Sequence, residues 1–62
     1  MHVNLIEGSA TINDQPHSAP YSFDTTGYDS IRTTRDQTAT LQFDNDKSIL
    51  RLDQNTGITL IP

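Results

Sequence analysis

His2 and His17 are the side chains whose charge can change near neutral pH, so acid–base or metal chemistry would begin with them. His2 stands beside Met1 and His17 in a Pro-flanked stretch, with Glu7 and Asp14 the nearest carboxylates in sequence and no cysteine anywhere. A metal centre needs more donors than this, so exposed histidines are the favoured reading. In Asp44-Asn45-Asp46-Lys47-Ser48 the carboxylates fall at i and i+2, the opening of a calcium loop. Lys47 then occupies the interior, and Asn55 stands where a bidentate Glu belongs, so a hairpin turn is favoured. None of Ser9, Ser18, Ser22, Ser30 and Ser48 lies in a G-x-S-x-G frame, which leaves no nucleophile elbow. No catalytic residue, metal site or cofactor is expected.

Binding chemistry has better material. Tyr21, Phe23 and Tyr28 flank the Asp24–Gly27 turn, and tyrosines near a turn can form a rigid amphipathic platform for a peptide, glycan or protein. Phe23 reads as core in a chain this poor in aromatics, while the two tyrosines stay open between core and platform. Arg32, Arg35 and Arg51 could share a polar face and pair with Asp29, Asp36 or Asp53, an arrangement worth at most about 1 kcal/mol per pair. The candidate partner- or ligand-binding residues are therefore Tyr21, Tyr28, Arg32 and Arg51.

The elements that must position them come from a 62-residue chain with 32% hydrophobic residues, no Cys, no Trp and a net charge of −4. That is one small domain, residues 1–62, with no disulfide and no zinc cluster to staple it. At this size folding buries only roughly 60% of the surface of the unfolded chain, so stability is marginal. No apolar run approaches a membrane span, and no charged start followed by an apolar stretch marks a signal peptide. Four cations, Arg32, Arg35, Lys47 and Arg51, are too few for a nucleic-acid backbone. The aspartates are spaced among Asn, Gly and Ser, which is turn chemistry, and a decoy of nucleic acid has only the net charge in its favour.

Almost every segment alternates with a period of two. Val3 and Leu5, then Ala10 and Ile12 across a break at Glu7-Gly8, are followed by Tyr21 and Phe23, by Ala39, Leu41 and Phe43, by Leu50 and Leu52, and by Ile58 and Leu60. Ile49 interrupts the pattern. No segment repeats apolar residues at helical spacing. The turn clusters Asp24–Gly27, Thr34–Gln37, Asp44–Lys47 and Asp53–Gly57 divide the runs, and residues 13–20 form the longest expected loop. The expectation is an all-β domain of six or seven short strands, a small sandwich, roll or solenoid-like arrangement without substantial helix. Ala39, Leu41, Phe43, Leu50, Leu52, Ile31, Ile58 and Leu60 make its core, with Thr38, Thr40, Gln42 and Arg51 outward.

The stretch from Gly27 to Leu60 resembles the FecR-type domain, an extracytoplasmic module of bacterial transmembrane signal transducers and other envelope proteins. The rhythm is carried by Ile31-Arg32-Thr33, by Ala39-Thr40-Leu41-Gln42-Phe43-Asp44, by Leu50-Arg51-Leu52, and by Asn55-Thr56 before Ile58-Thr59-Leu60. Gly8-Ser9-Ala10-Thr11-Ile12 is similar to the opening strand of the same family. Lys47 stands where the family's turn commonly has glycine, and a positive φ there would strain a lysine. The resemblance implies a periplasmic or cell-surface β-module that works in envelope signalling or assembly by contact with a protein.

Two functional readings follow. The first is a non-catalytic interaction module that binds a protein partner, or a second copy of itself, through strand edges that so small a sheet leaves open. The alternative is a small-ligand or carbohydrate-binding module centred on Tyr21 and Tyr28.

Overall fold

A computed structural model describes residues 1–25, 27–45 and 47–61. Among these residues there are seven strands and no helix, and every strand pairing is antiparallel. The all-β expectation holds, and of the three arrangements the roll is the one found: a single curled sheet.

The organising element is β1, His2–Ile12. Its phase changes midway: Val3 and Leu5 are buried, and so are Ala10 and Ile12. Odd positions cannot share a face with even ones on a regular strand, so one residue must be absorbed. The register does shift between Leu5 and Glu7, leaving Ile6 as the extra residue of a bulge. Gly8 follows with φ +84°, and a Cβ there would stand 1.9 Å from the carbonyl oxygen of Thr38. The strand bends at this point, and everything beside it bends too.

β2 (Gln15–Ser18) and β3 (Tyr21–Asp24) run along one side of β1, separated by a break at Ala19-Pro20 where the peptide bond is cis. β4 (Asp29–Arg32) and β5 (Ala39–Phe43) run along the other side, separated by residues 33–38. Outside them lie β6 (Ile49–Leu52) on β5 and β7 (Gly57–Leu60) on β4. The molecule is thus two four-stranded halves, β3-β1-β5-β6 and β2-β1-β4-β7, sharing β1 across a crease.

Chain length demands the fold-over. Asp24 pairs with His2 at one end of β1, while Ile31 pairs with Ile12 at the other, placing Asp29 beyond that end. A straight ribbon would separate Asp24 from Asp29 by about 35–40 Å at the usual strand rise, and five residue steps reach at most about 18 Å. The longest dimension of the molecule is 29 Å. With the sheet creased, the two ends meet and their inner faces enclose one core of Val3, Leu5, Ala10, Ile12, Ile31, Ala39, Leu41 and Leu52, flanked by Tyr21, Phe23, Phe43, Ile58 and Leu60.

Two expectations need correction. Residues 13–20 are not one long loop: Asn13 (φ 49°) and Asp14 (φ 66°) make a two-residue hairpin turn, and β2 follows at once. Positive φ at both central positions is the twist that tight hairpins favour, and Asn and Asp tolerate it. Asn13 also donates from Nδ2 to the buried Asp29 carboxylate at 2.7 Å and accepts from the Ser30 amide at 3.0 Å, tying the turn to β4. Leu50 is the second correction. It faces inward opposite Leu41, yet remains 38% exposed because no strand lies beyond β6.

Candidate functional site

The four residues singled out from sequence do not converge. Tyr21 pairs with Leu5 on the inner face, where its ring stacks on His17 at 3.7 Å between centroids and faces Phe23 at 6.1 Å. This aromatic row covers the rim of the core along β2 and β3, so Tyr21 packs rather than projects. Tyr28 lies in the bridge between the two ends of the sheet and is 77% exposed. Arg32 points outward from β4, with Nη2 3.0 Å from the Asp14 carboxylate and its stem beneath Gly57. Arg51 points outward from β6 on the other half, 3.8 Å from Glu7. Strand order puts Tyr21 and Arg51 three strands apart, about 14 Å, and on opposite faces. Of the expected arginine partners, Asp29 is buried against Asn13, and Asp36 lies 4.0 Å from Arg35, a pair foreseen from sequence.

The histidines are likewise separate. His2 Nδ1 meets Asp24 at 2.8 Å on the outer face, beside Asn4, which donates to Asp44 and accepts from Ser22. Among the described residues no group of three or more His, Asp or Glu side chains is placed to hold a metal, and no pocket opens. Asp46 of the calcium-like spacing lies outside the described residues. Its neighbour Lys47 does have the strained positive φ, 62°.

What the structure does concentrate is backbone hydrogen-bonding capacity at one edge. Hydrogen-bonded and non-bonded pairs alternate along an antiparallel ladder, so one bond fixes the direction of every amide. The Phe43 amide donates to the Ser48 carbonyl at 2.9 Å, so Ser48, Leu50 and Leu52 turn their amides and carbonyls toward β5. Ile49 and Arg51 turn theirs outward. The Thr33 amide donates to the Thr56 carbonyl at 2.8 Å, which by the same alternation leaves Gly57 and Thr59 outward on β7.

The opposite edge is built differently. The amides of Ala19 and Thr25 donate to the carbonyls of Gly8 and Met1, which turns Pro16, Ser18, Ser22 and Asp24 outward. Pro16 has no N–H to offer, Pro20 sits at the crease, and the Asp24 side chain is held by His2. Prolines and charge are the usual means of blunting an edge. The β6–β7 edge carries no proline and no bulge among its paired residues, its one charge there is Arg51, and Ile49, 63% exposed, and Leu50 lie on it. Open strand edges were expected from the sequence, and Arg51 was among its candidates, but which edge is open was not legible, because the direction of each amide is a property of the ladder and not of the side chains. Ile49, an apolar residue in the outward phase, was the sign that points to β6. Comparison of the chain with protein-family models, characterised proteins and solved structures found no match.

Proposed function

We propose that this chain is a non-catalytic binding module, similar to the FecR-type domains of bacterial envelope signalling and assembly, that engages a protein partner by strand addition at its β6–β7 edge. The observation that carries the reading is the asymmetry of the edges: one is interrupted by proline, the other offers the amides and carbonyls of Ile49, Arg51, Gly57 and Thr59 beside exposed Ile49 and Leu50. Strand addition draws affinity from main-chain bonds and specificity from alternate side chains. The extracytoplasmic placement rests on the sequence rhythm of Gly27–Leu60.

The test is selection of displayed linear peptides against the immobilised chain. Enriched peptides should alternate apolar and polar residues, lose binding to the Ile49→Pro variant and keep it to Pro16→Ser. Binding indifferent to Ile49→Pro would place the peptide site on another surface, and no enrichment beside heat released with a sugar panel would transfer the function to a small-ligand site.

A further inference from the structure

We infer that β6 pairs with β6 of a second copy of this chain about a twofold axis through Leu50, joining two molecules into one continuous sheet. This rests on the reading of the β6–β7 edge as a strand-addition site and names an occupant for it.

The register follows from the charges. Two antiparallel edges can bond only if outward-turned residues lie opposite one another, and on β6 these are Ile49 and Arg51. Three symmetric registers satisfy this. With the axis at Arg51, each Arg51 faces the other arginine. With the axis at Ile49, Arg51 of each copy faces Lys47 of the other. Both set like charges directly across the pair, which is destabilising. With the axis at Leu50, Ile49 faces Arg51, whose aliphatic stem can cover the exposed isoleucine. The same register brings Lys47 and Asp53, the charged residues that flank β6, to the same end of the pair from opposite copies, opposite in sign at both ends.

That arrangement forms four main-chain hydrogen bonds, two at each Ile49–Arg51 pair. Leu50 meets its counterpart in the central non-bonded pair, where side chains approach most closely. Both leucines point to the inner face, so the contact extends the Leu41–Leu50 row from one core toward the other. A twofold interface of this kind is self-complementary, each residue using the same surface in both copies. Four residues per copy bury far less than the roughly 1,200 Å² of a tight complex, so the dimer is weak and concentration-dependent.

The chain has no cysteine, so single cysteines report the register. Leu50→Cys should oxidise to a covalent dimer at high concentration, whereas Ile49→Cys, facing Arg51, should cross-link several-fold less. By sedimentation, the wild-type mass should rise from 6.9 kDa toward twice that value between about 20 μM and 2 mM, while Ile49→Pro stays at the lower mass with a dispersed amide spectrum. Lys47→Glu and Asp53→Lys should each weaken association, and the double swap should restore it. A wild-type chain monomeric throughout this range, equal cross-linking at positions 49 and 50, or no rescue by the double swap overturns the inference. If displayed peptides still bind at β6 while the chain stays monomeric, self-pairing falls and the strand-addition reading stands. If both fail, the edge itself is wrong.

Discussion

Single residues decide where this small sheet can bend and turn. Gly8 is the clearest case, since its φ of +84° disfavours a side chain and a Cβ would meet the Thr38 carbonyl oxygen at 1.9 Å. The contact is backbone against backbone across β1 and β5, so relief requires the crease to open. Gly8→Ala should therefore cost about 3 kcal/mol or more, read as loss of the thermal transition or a large fall in denaturant midpoint. Lys47 presents the reverse situation. Its φ of 62° strains a lysine, and its side chain is exposed, so Lys47→Gly should stabilise the monomer by about 0.5–1 kcal/mol in chemical denaturation. An unchanged or lower midpoint would mean that lysine makes a compensating contact. Gly57 makes a useful contrast: its φ is ordinary and the nearest atom to an added Cβ is the flexible Arg32 stem at 3.4 Å, so a side chain there meets neither the strain nor the backbone clash that it meets at Gly8.

At the scale of the elements, alternation made β1, β3, β5 and β7 readable, and with them most of the core, because each carries large apolar residues on one face. The change of phase between Val3-Leu5 and Ala10-Ile12 was visible too, and it marks the bulge and the bend. β2 was hidden since Gln-Pro-His-Ser has no apolar alternation and contains a proline that a central strand would exclude. It survives as an edge, with Pro16 turned away from β1. The candidate site was less legible than the fold. Tyr21 looked equally suited to core and platform, and only its pairing with Leu5 decides for the core. The site residues Ile49 and Arg51 matter through amides, whose direction depends on the ladder and not on residue type. One buried hydroxyl also escaped pattern reading. Thr33, 6% exposed, donates from Oγ1 to the Asp53 carbonyl and accepts from the Thr56 amide at 3.1 Å, binding the β6–β7 crease to the β4–β5 crease. Thr33→Val keeps the shape and strands both groups. It should destabilise by about 1–3 kcal/mol, and amide exchange at Thr56 should accelerate more than at Leu41. Equal acceleration at both positions would mean that the two creases open only with the whole molecule.

For the whole molecule the decisive fact is how little apolar material the two halves share. Among the described residues, eight buried hydrophobic side chains, two of them alanine, close a core, and a chain without cysteine has no disulfide to reinforce it. Folding of such a chain leaves a small net stability, and anything that binds the folded form alone adds to it by mass action. A second copy on β6 is such a ligand, since the unfolded chain has no aligned edge to pair with. If association is half complete near 1 mM, raising the protein from about 20 μM to 2 mM should add about 0.5 kcal/mol to apparent stability. For a domain of this length that corresponds to a rise of about 2–4 °C in Tm. Ile49→Pro should unfold at one temperature across the same range, because its β6 keeps every bond to β5 and loses only an outward amide. Pro16→Ser should retain the wild-type slope or steepen it, since it restores a donor to the blunted edge and leaves β6 untouched. A slope of Tm with concentration that persists in Ile49→Pro would place self-association on another surface, with the exposed Ile61 beyond β7 the next residue to substitute.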